Sequence, residues 1–390
     1  MATRRSTLDF LRTEAAFGSA LALAALAAIF LANSPYAPEY FHWVHAEHTL
    51  QVGAFVETKT TLKWIKEGLM AVFFFVVGLE IKYEILRGEL SSLKKLGLPV
   101  LAAVGGMAAP ALVFLSLNMG EGGVPTGWPI PTATDIAFAL AALAIAAPKL
   151  PGSLRIFLLT LAIADDLGAV ALIALLFSSE LNLLAILGAL VALAAMAGLG
   201  KLRQGTPILY AIGFLIVWAF TLKSGVNTSL AGVAAALTVP IGPNRAGEEG
   251  MVKHFLEGMH PYVAWGILPL FAFAAAGFSF GAMEAGHLLA PLPLGIALGL
   301  LIGKPVGIMA ASALAVALRI GQRPTGATWL ELFGVSLLCG VGFTMSLFIG
   351  GLAFPAGEAT AQVQLGVIGG SILSIIAGAI VLRLAQMQRR

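Results

Sequence analysis

LAIADDLGAV, residues 161–170, places two carboxylates in the middle of an apolar run; between Ile156 and Phe177, Asp165 and Asp166 are the only charged residues. Neighbours on a helix point about 100° apart, so the two cannot aim along one direction and serve two neighbours. Ala162, Gly168 and Ala169 lie within a turn, and small residues of this kind allow close helix approach and leave room for water. A carboxyl group shielded from water can hold a proton or a metal cation but not both, so competition between the two is the chemistry open to this pair. Asp135 and Lys304 are the other ionisable residues set deep in apolar sequence. Burying each ion costs about 2.5–3.5 kcal/mol on insertion scales. Three carboxylates against one lysine leave negative charge over, for protons or metal cations to neutralise.

Asp135 stands in PTATDIAFAL, residues 131–140. Pro131 deletes a backbone donor there, and Thr132 and Thr134 can bond the freed groups. In LLCGVGFTMSLFIGG, residues 337–351, Gly340 and Gly342 weaken the centre of a second apolar stretch. Singly, the first reads as a Pro-kinked helix and the second as a tight helix crossing. A broken helix, however, exposes partial charges at its inner ends. Asp135 suits the positive ends, while Lys304 either balances the negative ones or pairs with an aspartate; the sequence does not choose.

The elements that must position these groups are membrane helices. Of 390 residues, 59% are hydrophobic and 11% charged, against about 25% charged in an ordinary soluble protein. Apolar runs predict spans at 14–32, 60–86, 96–117, 122–146, 153–178, 181–200, 206–222, 225–240, 252–280, 290–318, 328–352 and 362–384. The first follows Arg4 and Arg5, is too long for a secretory signal, and is read as a retained helix. Eighteen of the 23 basic residues, including Arg4, Arg5, Arg12, Lys94, Lys95, Arg203, Arg245 and Arg390, fall in connections on one side. The other side has Lys59, Lys63, Lys66 and Lys223. Positive charge marks the cytoplasmic side, so both termini are expected to be cytoplasmic. The basic residues are scattered rather than clustered, which speaks against a nucleic-acid surface.

Segments 96–178 and 290–384 each hold three spans with the interrupted one in the middle. Pro110 follows Pro99 by 11 residues and Pro305 follows Pro293 by 12, while Thr134…Phe138 echoes Thr344…Phe348. The loop charges give the two groups opposite orientations, hence inverted repeats, and interrupted helices at matching positions of inverted halves point to a midplane transport site. TLQVGAFVETKT, residues 49–60, alternates imperfectly and reads as a short outer hairpin or an irregular loop. The lone Cys339 permits no intrachain disulfide. His42, His45 and His48 have a spacing that suggests an outer metal site, although isolated interfacial histidines are the simpler reading.

GLMAVFFFVVGLEIK (68–82), TATDIAFAL (132–140), LAIADDLGA (161–169), LKSGV (222–226), ILPLFAFA (267–274), GLLIGKP (299–305) and CGVGFTMS (339–346) together resemble the NhaA family of sodium/proton antiporters over nearly the whole chain. That family is a known case of inverted-repeat architecture, so the repeat argument is not independent of the resemblance. It implies an all-α membrane protein of about twelve helices, two of them discontinuous and crossing near the midplane. Residues 1–95 and 179–289 would form an interface domain, and 96–178 and 290–390 the two core repeats. It implies Asp165 and Asp166 as ion and proton carriers, binding Na+, with Thr134 and Asp135 as helpers and Lys304 as partner of Asp165. It further implies electrogenic exchange of cytoplasmic Na+ or Li+ for external H+, two protons per sodium, without cofactor or enzymatic activity. The setting is a bacterial inner membrane, with lipid around the chain and a homodimer contacting through the hairpin near Thr49–Thr58.

Departures fall at the positions linked to pH regulation. Tyr83 stands between Glu80 and Glu84 where many relatives have arginine, and Glu257 and His260 only partly match the charged entry to the ninth helix. A cation channel using the same carboxylates is the alternative, since acidic residues line pores, but broken inverted helices argue against it. GLLIGKP resembles part of a phosphate loop, yet Pro305 replaces the Ser/Thr, which argues against an ATP-driven pump.

Overall fold

The computed structural model describes residues 2–389 except 54, 89–92, 179, 203–204, 243–249, 282–285, 287–288 and 355–356; the side chains of 2–13, 93–96 and 358 are also undescribed. Arg203, Arg245, Arg390 and Ala54 of the hairpin turn therefore lie outside the described residues, as do the side chains of Arg4, Arg5, Arg12, Lys94 and Lys95.

Helices α1 (Ala2–Ala32) and α2 (Ala37–His45) precede strands β1 (Glu47–Val52) and β2 (Phe55–Thr60). A short α3 (Thr61–Trp64) passes through a π-helical turn, Ile65–Leu69, into α4 (Met70–Arg87). Next come α5 (Leu93–Asn118), α6 (Ile136–Ala146), α7 (Gly152–Leu176), α8 (Leu183–Lys201), α9 (Pro207–Ser224) and α10 (Ser229–Thr238). Helix α11 (Met251–Tyr262) runs through a π-turn, Val263–Ile267, into α12 (Leu268–Ala275). Likewise α13 (Pro291–Leu298) runs through Gly299–Gly303 into α14 (Lys304–Ala317). Helices α15 (Trp329–Leu338), α16 (Phe343–Ala353) and α17 (Glu358–Met387) complete the order.

Local chemistry sets several boundaries. The Asn182 side chain accepts from the N–H groups of Leu184 and Ala185 at the start of α8, and Thr206 followed by Pro207 opens α9. Gly225, at φ 78°, closes α9 in the left-handed conformation that glycine adopts without steric cost. Thr328 and Glu331 cap each other's backbone at the start of α15.

Among the described residues, eight helices are long and apolar enough to cross a membrane, or ten if each of two bent pairs is one span. The bent pairs are Pro125–Thr132 with α6, at 47°, and α15 with α16, at 45°. Twelve spans is the sequence expectation, and two of those segments fall outside this count. The stretch at 61–87 carries Glu80, Lys82 and Glu84 within its apolar run, and the ten residues of α10 rise about 15 Å against a core about 30 Å thick.

Two compact units are distinguished. One comprises residues 1–37, 89–169 and 275–390; the other comprises 38–88 and 170–274. In the first, Leu143, Leu158, Leu161, Ile308, Val335 and Leu338 belong to one buried cluster. Backbones touch within this unit: a Cβ on Gly307 would meet the Gly105 carbonyl group and lie 2.7 Å from Ala109 Cβ, and one on Gly303 would lie 2.6 Å from Pro110 Cα. The crossing of α5 and α14 thus depends on the missing side chains.

In the second unit α4 and α10 approach equally closely, with Gly78 against Val233 and Ala236, and Gly232 against the backbone of Ala71 and Phe75. Lys82 donates its ammonium protons to the carbonyls of Leu237, at 2.6 Å, and Val239, satisfying the end of α10. Strands β1 and β2 form an antiparallel hairpin in the register Glu47↔Thr60 to Val52↔Phe55, with Gly53 at φ 60° in its turn. The Thr49 and Thr58 hydroxyls face each other at 2.8 Å, and Lys59 pairs with Glu67 at 2.7 Å.

Gly307→Val is expected to cost about 1–3 kcal/mol through overpacking at α5–α14 and to lower the thermal unfolding midpoint of the purified protein. Gly258→Ala, at a helical position where a Cβ meets nothing within 4 Å, is the control and should leave the midpoint unchanged or raise it.

Candidate functional site

The first unit brings its two helix breaks together. Residues 133–135 separate the short turn Ile130–Thr132 from α6, and 339–342 separate α15 from α16. The Asp135 N–H donates to the Val341 carbonyl at 2.6 Å. The Asp135 side chain caps α6, with Oδ1 accepting from the Phe138 N–H at 3.1 Å. Its Oδ2 accepts from the Thr344 N–H at 3.0 Å and from the Thr344 hydroxyl. One carboxylate therefore accepts from N–H groups at the positive ends of two helices, α6 and α16. Ser371 Oγ accepts from the next exposed donor, the Phe343 N–H, at 3.2 Å. The rings of Phe138 and Phe343 meet edge to face at 5.0 Å beside this bridge.

Asp165 and Asp166 come from the middle of α7, where Gly168 lies against Met107 of α5. Asp165 and Lys304 are both fully buried, and Asp166 is 2% exposed. Lys304 Nζ lies 2.5 Å from Asp165 Oδ2 and also donates to the Thr132 carbonyl at the end of the short turn Ile130–Thr132. It thus contacts an aspartate and a backbone carbonyl at once. The π-turn Gly299–Gly303 immediately precedes it, a departure from regular helix that often accompanies functional sites.

Thr134 Oγ1 is 2.6 Å from Asp165 Oδ2 and 3.0 Å from the Cys339 carbonyl oxygen. A hydroxyl carries one proton, so it donates to one of these acceptors at a time. Thr132 instead bonds back to the Pro129 carbonyl at 2.7 Å. The other carboxylate oxygen of Asp165, Oδ1, is buried and has no hydrogen-bond donor among the described residues. The groups gathered here, carboxylates, a hydroxyl and backbone carbonyls, are oxygen donors, which suit hard cations. Among the described residues no three His, Cys, Asp or Glu side chains cluster as a metal centre.

Thr134, Asp135, Asp165, Asp166 and Lys304 thus lie in one unit, in or next to one buried polar cluster. Glu80, Glu84, Glu257 and His260 belong to the other unit, where α4 and α11 pack through Phe75 and Phe255 and Glu257 lies 3.5 Å from Lys253. His45 bonds to the Phe41 carbonyl and His48 to the Thr61 hydroxyl, so these two side chains serve their own helix and hairpin. Thr344, Ser371 and the Cys339 carbonyl are site groups that motif reading passes over. The echo of Thr134…Phe138 in Thr344…Phe348 was the signal for Thr344, whereas nothing local marks a carbonyl or Ser371 as partners.

Residues 8–382 match the sequence profile of the Na+/H+ antiporter 1 family. The Na(+)/H(+) antiporter NhaA of Rhizorhabdus wittichii is 51% identical over 375 residues, 96% of this chain and 97% of that protein. The Na(+)/H(+) antiporter NhaA of Rhodospirillum rubrum is 45% identical over 390 residues, 98% of each chain. The Na(+)/H(+) antiporter NhaA 2 of Pseudomonas savastanoi pv. phaseolicola is 48% identical over 375 residues, 96% of this chain and 94% of that protein.

Thr344→Val keeps the shape of the side chain and removes its donor to Asp135. It should cost about 1–3 kcal/mol, read as a lowered thermal midpoint, with Thr344→Ser restoring most of it.

Proposed function

The chain belongs to the Na+/H+ antiporter 1 family, and we propose that it exchanges sodium or lithium ions for protons across a bacterial inner membrane. The observation that carries this reading is the buried Asp165, held by Lys304 and Thr134, with Asp166 next to it on α7 and the Asp135-bridged helix breaks alongside. Asp165 and Asp166 are the carriers, Thr134 and Asp135 position the site, and Lys304 compensates charge. A cation entering between the carboxylates displaces protons or the lysine ammonium from Asp165, because the same oxygens cannot serve both. The Thr134 hydroxyl follows: it donates to an ionised Asp165, and turns to the Cys339 carbonyl when the carboxyl group carries its own proton.

Coupling rests on that competition together with access from one side at a time. The architecture proposed is twelve spans with both termini cytoplasmic and inverted repeats at 96–178 and 290–390, rocking against an interface domain of 1–95 and 179–289. Sodium leaves the cytoplasm as external protons enter, two for each ion. The net charge moved makes exchange electrogenic, with about 2.3 kcal/mol available per charge per 100 mV. The homodimer is proposed to form through the hairpin, and the exposure of every residue of β1 supports this, since such an edge can accept another strand. Glu80, Glu84, Glu257 and His260 are the candidate pH-regulating residues. With the half-exposed Tyr83 replacing a cation beside the first two, the activation profile is expected to be displaced.

In proteoliposomes with an imposed proton gradient, Asp166→Asn should abolish sodium-driven proton movement and Asp165→Asn should nearly do so; full exchange by Asp166→Asn overturns the assignment. Purified wild-type protein should release protons when it takes up sodium. Between pH 6 and 9, activation should be shifted from that of relatives with arginine at the Tyr83 position, and a coincident profile removes the regulatory part of the reading.

A further inference from the structure

Away from the aspartates, the first unit holds a cavity of about 700 Å³ at the starts of α5 and α7 and the loop that follows α14. Its lining includes Arg319, Arg323 and Thr160, together with the apolar side chains of Leu98, Ile156 and Ile320. No acidic side chain is among the described lining residues. Both arginines are exposed, and neither forms an ion pair among the described residues. The Arg323 guanidinium sits 5.8 Å from the centre of the Trp329 ring, which orients it without neutralising it.

Thr160, 6% exposed, lines this cavity, and one further observation points into it. Arg319 has φ 57° and is the non-glycine residue with positive φ among those described. It follows α14 at the position where the chain turns left-handed, with the Ile320 N–H returning to the Ala315 carbonyl at 3.0 Å. Glycine usually fills such a position, and a side chain there costs about 1–2 kcal/mol. The arginine is kept at a place where its backbone is strained.

The walls decide what the two cations meet. The cavity opens where three apolar spans, Gly97–Asn118, Gly152–Leu176 and Pro291–Ala317, start or end, the depth at which lipid headgroups lie. Ile156 and Ile320 are 48% and 47% exposed at its rim, as side chains facing acyl chains would be. We propose that this cavity is a binding site for the headgroup of an anionic phospholipid, its phosphate held by Arg319 and Arg323, its polar end by the Thr160 hydroxyl, and its chain leaving past Ile156 and Ile320.

The test is retention of phosphatidylglycerol against phosphatidylcholine by the purified full-length protein, counted by native mass spectrometry and repeated with inorganic phosphate as competitor. Wild type should retain phosphatidylglycerol selectively, and millimolar phosphate should not displace it. Arg319→Gly removes the charge while giving the strained position its preferred residue, so the variant should fold at least as well as wild type. It and Arg323→Gln should each weaken retention roughly fivefold, at about 1 kcal/mol per arginine near a headgroup. Equal retention of the two lipids by wild type, or unchanged retention by the double variant, overturns the site. Displacement by inorganic phosphate overturns the assignment to lipid.

Discussion

A carboxylate removed from water must find hydrogen-bond donors in the protein, and Asp135 finds them at the ends of two helices that start in the interior. Helices α6 and α16 each present unsatisfied N–H groups at their starts, and left bare in apolar surroundings these would be costly. Placing one acidic side chain between Phe138 N–H and Thr344 N–H resolves both ends at once. It also fixes the two breaks against each other, with the Asp135 N–H bonded across to Val341. The rest of the polar cluster is assembled around that joint.

Lys304 answers the opposite end. Its ammonium group reaches the Thr132 carbonyl, where the short turn Ile130–Thr132 stops, and the Asp165 carboxylate of α7. A single cation is therefore shared between a backbone carbonyl and an ionisable side chain. Such sharing makes the carboxylate's hold on its partner conditional: weakening one contact leaves the lysine a second place to go. The hydroxyl of Thr134 repeats the pattern on a smaller scale, between Asp165 and the Cys339 carbonyl. A cluster built from groups with two available partners can rearrange its hydrogen bonds without leaving a buried charge unmatched.

Much of this was legible in the sequence because charge in apolar surroundings is conspicuous. Asp135, Asp165, Asp166 and Lys304 announce themselves by cost alone, and Pro131, Gly340 and Gly342 mark where the helices falter. What could not be read is whatever depends on backbone atoms or on register across the fold. The carbonyls of Thr132 and Cys339 carry no residue-type signal. Ser371 looks like any serine in a long apolar helix until it meets the Phe343 N–H. The π-turns before Met70, Leu268 and Lys304 leave no distinct composition behind. Span counting was least secure where charge or brevity interrupts the pattern, at 61–87 and at α10.

The touching backbones of α5 and α14 carry a consequence for motion. With Gly105 and Gly307 in close backbone approach and Gly303 seated on Pro110, the two helices meet at these positions with no side chain between their backbones. Lys304 begins the helical stretch on one side of that seam. A slip of a single residue would carry it about 1.5 Å along the axis, enough to forfeit its grip on Asp165. The seam therefore behaves as a weld rather than a bearing, and any displacement of the site must take both helices along as one piece.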